Sequence, residues 1–373
     1  MSVVEQTGTA PTPAAPPRHA RWGLTWHGVR TVAALELRQR VRSTRWLVAL
    51  IVYFVVVGAL TLLLFGALST VLGLDDGGTE PRGPVLFAAV TFLVLGLGLL
   101  VTPTLTSAAV NGDRNAGTLA TLQVTLLTPA EIALGKLLAA WVASCAFLVT
   151  SIPFLAFATA AGPTPWWSLL FVVLLIATLL IAVCGIGLGL SALVSRTAGS
   201  TVLTFVVVAS LAFLSLILFG VTYPAVTTTE TTRVYTVPSD WDGTYDGSVC
   251  TIEEQVRDVA HTERTWWLLA INPFVVVADG SGTSVAESES SVTEGDLLGY
   301  IRFAVRTVRD GPDDPLQECW VGDELSDETV TSTAPVWPWG LAANLLLGVA
   351  GFVVAVRRLS IPQRTLPRGT RVA

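Results

Sequence analysis

The sequence predicts an all-α polytopic membrane protein: six transmembrane helices, with a small mixed α/β extracytoplasmic domain between helices five and six. Three observations predict it. Apolar residues make up 52% of the chain and charged residues 13%, against roughly 25% charged in soluble globular proteins. Six long runs contain no Asp, Glu, Lys or Arg at all. Basic and acidic residues also segregate into alternate connections between those runs.

The uncharged runs cover approximately 46–72, 85–108, 137–159, 167–193, 201–221 and 336–356. A helix needs about 20 mostly apolar residues to cross a bilayer core. Helix is the form that satisfies its own backbone hydrogen bonds in lipid, and the continuous runs lack the alternation of barrel strands. Residues 46–221 are therefore read as helices one to five and 336–356 as helix six.

Orientation follows from the arginines. The two terminal segments and the connections after helices two and four hold 15 basic and 4 acidic residues, whereas the opposite side holds 7 basic and 24 acidic. The overall charge of −6 thus conceals a steep asymmetry. By the positive-inside rule both termini, and the basic connections, are expected in the cytoplasm of a multi-pass cell-membrane protein.

Residues 1–28, rich in Pro, Ala and Thr, read as a disordered cytoplasmic tail. Residues 29–45 read as an amphipathic helix in the cytoplasmic interface. Val29, Ala33, Leu37 and Val41 form its apolar face, and Arg38, Arg42 and Arg45 reach toward anionic headgroups. Residues 357–373 form a basic cytoplasmic tail.

The connection 222–335 is the one long stretch with soluble-domain composition. Residues 226–237 (VTTTETTRVYTV) carry the β-branched residues of a strand, and 280–296 read as flexible loop. Cys250 and Cys319 both fall in this connection and are expected to pair in an oxidising compartment. Cys145 and Cys184 fall within spans and read as small apolar packing residues. The run 266–278 (WWLLAINPFVVVA) is too short to cross. It is expected to lie on the outer membrane surface, with Trp266 and Trp267 as interfacial anchors.

Within the spans, Gly185, Gly187, Gly189 and Ser191 allow close helix approach. Packing inside one subunit is the preferred reading and a dimer contact the alternative. Asn344 in helix six requires a hydrogen-bond partner and is expected to find one across helices.

Several chemistries are missing. No GxxxxGK[ST] phosphate loop, HExxH or CxxC occurs, and the three histidines lack ligand spacing. The apolar runs hold no acid or base of the kind ion-coupled carriers use. No cofactor, metal or nucleic-acid partner is expected. Energy for uphill transport would have to come from another chain.

The connection 109–136 (AVNGDRNAGTLATLQVTLLTPAEIALGK) is the most informative cytoplasmic segment. Asp113 and Arg114 give a polar turn, Gly117 breaks the run, and 118–127 read as a short helix. Thr128, Pro129 and Glu131 form a capping-box start for the next helix.

The order ELRQRVRSTRW, helix one, helix two, then NGDRNAGTLATLQVTLLTPAEIALGK resembles the permease subunit of ABC-2 type transporters. Gly117-Thr118, Thr128-Pro129 and Gly135-Lys136 match the family pattern, and Asp113-Arg114 matches in character. Asn115 departs where a second acid is usual. Ile271–Phe274 (INPF) resembles a recurring Asn-Pro-Phe segment. The resemblance implies six-span units working as dimers, each held by a cytoplasmic ATP-binding cassette subunit that carries the ATP. That subunit would contact the pre-span helix and the connection between helices two and three. The coupling residues would then be Arg38, Arg42, Asp113, Arg114, Gly117 and Thr118, and the cargo would usually be exported. A membrane-anchored sensor or assembly factor with an extracytoplasmic binding domain is the alternative, and a membrane-embedded enzyme a third.

Overall fold

The computed structural model describes residues 22–70, 82–115, 127–238, 241, 250–282, 296–319 and 334–359. The expected tail 1–28 lies outside them up to residue 21, as does the C-terminal tail from 360. Six described helices are long and apolar enough to cross a membrane, one on each of the six uncharged runs. In chain order the elements begin with α1 (Trp26–Val41), α2 (Thr44–Thr70), α3 (Arg82–Thr106) and the short α4 (Asn111–Asn115). Then come α5 (Pro129–Ala160), α6 (Trp166–Leu193) and α7 (Thr197–Ala209). A π-helical turn (Ser210–Leu214) leads from α7 into α8 (Ser215–Thr222), and the last span is α12 (Trp337–Leu359).

Helix α5 starts at Pro129, where the capping box places a helix start, and continues unbroken through the uncharged run that begins at 137. An uncharged-run criterion cannot pass Glu131 and Lys136, yet the helix contains both, buried and partnered. The pre-span helix differs from expectation. It buries Gly28, Val29 and Val32, while Val41 is 66% exposed. Four-residue spacing advances about 40° per step around an α-helix, so Val41 has rotated some 120° from Val29. The repeat 29/33/37/41 therefore cannot share one face, and α1 docks by its N-terminal half.

The core is built on α3, α5 and α6. Phe87, Val90 and Leu95 of α3, Leu155 of α5, and Ile176 and Leu179 of α6 are fully buried together. Helix α2 is peripheral, with 17% of its apolar window buried against 61% for α5. It docks through Tyr53 and Val57, where Tyr53 meets Phe147 edge-on at 5.1 Å.

Of the small residues on α6, Gly185 and Gly189 face α12 of the same chain, whereas Gly187 faces Thr106 of α3. A Cβ on Gly185 would run into the Gly348 carbonyl, and one on Gly189 would run into the Gly351 backbone. These helices touch backbone to backbone, the arrangement small residues permit in lipid. The stripe is spent within one subunit.

At the end of the bundle opposite α1, the long connection forms β1 (Thr227–Thr236), β2 (Thr251–Ala260), α9 (Trp267–Ala270), α10 (Pro273–Gly280), α11 (Leu297–Asp310) and β3 (Leu316–Gln317). Strands β1 and β2 pair antiparallel along their whole length, β3 pairs parallel to β1, and the sheet order is β2-β1-β3. The expected Cys250–Cys319 disulfide is present with its Cα atoms 6.0 Å apart, tying the start of β2 to the segment after β3. Arg233–Asp314 and Arg257–Glu318 ion pairs add two further ties at 2.7 and 3.0 Å.

The run 266–278 does not rest on an outer surface. Val276, Val277 and Ala278 are wholly buried in the same apolar core as α3 and α6. Asn272 explains how the segment is held. Its side-chain oxygen accepts from Phe274 N at 2.8 Å and caps α10. Its amide nitrogen donates to Ala212 O at 2.7 Å and to Ser215 Oγ at 3.0 Å. Ala212 lies in the π turn, where the widened ladder leaves a carbonyl available to a side chain. Asn344 meets its expected need by donating to Ile271 O at 2.9 Å. Trp266 is half-buried, with the Arg309 guanidinium 5.4 Å from its ring centroid, whereas Trp267 is 52% exposed. The first is thus a packing residue under α11, and the second presents its ring outward.

Helix α11 supplies helix to the connection expected to be a mixed α/β domain, starting just after the stretch read as flexible loop. Asp296 caps it, accepting from Gly299 N at 3.0 Å, and it buries Leu298 and Val305. Asp279 at the end of α10 then gathers three elements. One carboxylate oxygen accepts from Arg306 Nε of α11 at 2.8 Å. The other accepts from Val336 N and Trp337 N, both at 2.7 Å, at the start of α12.

Asn272→Ala removes a buried amide and orphans the Ala212 carbonyl. It is expected to destabilise the protein by about 2–3 kcal/mol, read as a lowered midpoint of thermal unfolding in detergent. The sheet is expected to weaken in acid. Arg233 beside Asp314, and Arg257 beside Glu318, hold these carboxyls below the usual carboxylate range. Groups depressed on folding stabilise above their unfolded pKa and lose that contribution as pH falls through the folded value. Amide protection at Val234 and Tyr235, corrected for intrinsic exchange, should therefore drop as pH falls below about 4.

Candidate functional site

The start of α5 is where the informative connection meets the bundle. Thr128 caps the helix, with Oγ1 accepting from Glu131 N at 3.2 Å. Glu131 returns the bond, Oε2 accepting from Thr128 N at 2.8 Å. The expected capping box is therefore formed. Its carboxylate does a second job. Oε1 accepts from Thr25 N at 2.8 Å and from Thr25 Oγ1 at 2.5 Å, and Thr25 is the N-cap of α1. Thr128 Oγ1 also donates to Gly23 O at 2.5 Å. One carboxylate, 3% exposed, thus sits at the N-termini of two helices, where both dipoles favour negative charge. The approach is close enough that a Cβ on Gly28 would lie 2.8 Å from Glu131 Cδ, and one on Gly135 2.6 Å from Val32 Cβ.

Lys136 lies further along α5 and is the only lysine in the chain. Its side chain is 2% exposed. The ammonium pairs with Glu36 of α1 and, at 2.5 Å, with Asp113 of α4. A buried cation is tolerated when paired and hydrogen-bonded. Here the two carboxylates that satisfy it come from the pre-span helix and from the connection after α3.

That connection is itself anchored. Ser191 Oγ of α6 accepts from Val110 N at 3.1 Å and Asn111 N at 3.2 Å. Ser200 Oγ of α7 donates to Ser107 O at 2.8 Å. Arg40 Nη2 of α1 donates to Leu105 O at 3.1 Å near the end of α3. The site therefore joins α1, α3, α4, α5, α6 and α7.

Of the expected coupling residues, Asp113 enters the ion-pair cluster and Arg114 lies half-buried next to it. Arg38 and Arg42 are exposed on α1, away from its buried face. Gly117, Thr118 and most of the expected helix 118–127 lie outside the described residues. Asn115 is exposed, and the link to the bundle runs through Asp113 instead. Glu36, Glu131 and Lys136 are the members that sequence reasoning left out of the site. A lone lysine in an arginine-rich chain was the available signal.

A second feature lies between α3 and α7. A cavity of about 400 Å³ there is walled by Phe92, Gly96, Leu100, Phe205 and Phe213, next to the π turn. Among the described residues no group of His, Cys, Asp or Glu is placed to hold a metal ion.

Six apolar helices, with a pre-span helix and the connection after the second span both ion-paired to Lys136 of the third, define a multi-pass membrane protein. Residues 30–289 match the family model described as ABC-2 family transporter protein. That match spans well over half of the chain, and the protein belongs to this family of ABC-transporter membrane subunits. The matched stretch contains the Lys136 cluster and α10. No curated protein matches the chain.

Lys136→Met leaves Glu36 and Asp113 without their shared cation. It is expected to cost about 3 kcal/mol, as for breaking a largely buried pair, measured by thermal unfolding. The triple change Glu36→Gln, Asp113→Asn, Lys136→Met removes all three charges and should recover most of that loss.

Proposed function

We propose that this chain is the permease subunit of an ATP-driven exporter in the cell membrane. It would work as a homodimer, with a separate ATP-binding cassette subunit on each copy. In this reading the termini and the Lys136 end face the cytoplasm and the sheet faces outward, in line with the charge segregation. ATP binds on the partner, and the chain itself performs transport without hydrolysis.

The observation that carries the reading is the Lys136 cluster. Helix α1 and the connection after α3 are the two elements the partner would press on, and both are ion-paired to the same buried side chain of α5. Separating them would strand a buried charge at about 3–5 kcal/mol. They therefore move with α5 as a unit when the ATP-binding pair closes. Ser191 and Ser200 carry the same displacement to α6 and α7. Arg38 and Arg42, exposed on α1, are left to meet acidic groups of the partner. The apolar cavity between α3 and α7 favours lipid-like or amphipathic cargo.

Co-expression of a tagged chain with the ATP-binding subunit encoded beside it tests the reading. The pair should co-purify, and reconstituted vesicles should hydrolyse ATP only when both are present. Arg38→Glu with Arg42→Glu should leave the unfolding midpoint unchanged, since surface substitutions cost within about 0.5 kcal/mol. The same double change should weaken partner retention at least roughly tenfold, reversing two interfacial charges. A partner that is never recruited, or is retained equally by this variant, would overturn the proposal.

A further inference from the structure

Beside the Lys136 cluster, on the other side of Arg40, a cavity of about 660 Å³ opens between α1, α2, α3 and α5. This volume falls within the usual range of small-molecule sites. Its two ends differ in chemistry. One is polar and cationic, formed by Arg40, Ser43 and Arg45, and the other is apolar, formed by Val52, Val56 and Val101 among others. Arg40 uses Nη2 on Leu105 O, but its Nη1 is buried with no hydrogen-bond partner. Arg40 and Arg45 together make this end of the cavity electropositive, and the charge of a guanidinium favours an anionic oxygen supplied from outside the chain. Val52 and Val56 are 54% and 39% exposed on α2, the least buried span, so the apolar end opens sideways from the bundle.

We propose that this cavity binds one anionic phospholipid from the surrounding bilayer. The phosphate sits between Arg40 and Arg45 within reach of the Ser43 hydroxyl, and an acyl chain runs along Val52, Val56 and Val101. Charge complementarity selects the occupant, because cationic groups at a membrane surface attract anionic headgroups. A bound lipid there would brace the C-terminal half of α1 against α3, where the protein itself supplies little beyond the Arg40–Leu105 bond. The proposal requires a bilayer around α2 and α3 and is independent of any ATP-binding partner.

The test uses the full chain alone, in detergent, by native mass spectrometry. Phosphatidylglycerol, phosphatidylcholine or inorganic phosphate is added. Wild type should retain one phosphatidylglycerol in preference to phosphatidylcholine. Arg40→Gln with Arg45→Gln should weaken that retention roughly 30-fold, at about 1 kcal/mol per basic residue. Val101→Trp keeps both arginines and fills the apolar end, and should also lose the lipid. Arg357→Gln with Arg358→Gln removes basic charge from the same end of the bundle and should keep it. Equal retention of the two lipids, retention unchanged in the cavity variants, or loss in the Arg357/Arg358 control would overturn the proposal. Inorganic phosphate competing as well as the lipid would also overturn it, by making this a free-anion site.

Discussion

The cost of placing one ammonium group out of water organises the Lys136 end of this protein. Lys136 sits inside the third span and needs anionic partners that α5 does not supply at that position. They come from α1 and from α4, which the shared ammonium ties to each other as well as to α5. The helix that precedes the bundle and the turn that follows α3 are thereby fixed relative to one another. Glu131 reinforces the arrangement with the opposite charge, closing the N-termini of α1 and α5 around one carboxylate. The glycines at 28 and 135 follow from that closeness, since any side chain would push the two helices apart.

The opposite end solves a related problem with an inverted charge. Asp279 is enclosed by Arg306 of α11 and by two backbone amides at the start of α12. Asn272 and Asn344 complete the polar joints that let a non-spanning segment sit among spans. Non-helical backbone at such a place is tolerable only where protein groups satisfy it. Both ends therefore use a few saturated polar groups to position helices that apolar packing alone would leave free to slide.

Much of this was legible in the sequence, for identifiable reasons. Exclusion of charge from lipid is a large effect, so six runs marked six helices. The capping box at Thr128 and Glu131 is a local signal and appeared as read. Cys250 and Cys319 were the only two cysteines outside the apolar runs, and they are paired. Features that depend on distant residues were not legible. The π turn at 210–214 is matched to Asn272, some sixty positions later, and nothing in SLAFL announces it. Helix α11 follows directly on the stretch read as loop, and Asp296, the last residue of that stretch, is its cap. Lys136 was legible only as part of the Gly135-Lys136 match, because its carboxylate partners lie on α1 and α4, far from it in the sequence.

The glycine face of α6 has a consequence for how the protein is made. Its mate, α12, begins at Trp337, whereas α6 ends at Leu193. Ribosomes add about 5–20 residues per second, so the roughly 140 intervening residues take on the order of ten seconds to emerge. Throughout that interval Gly185 and Gly189 lack the α12 backbone they pack against, while α7, α8 and α10 are still being made. The seat for α12 is completed by Asp279 and Ile271, which are also synthesised before it. The last helix therefore meets partners that are all already made, and its docking is the step that closes the bundle.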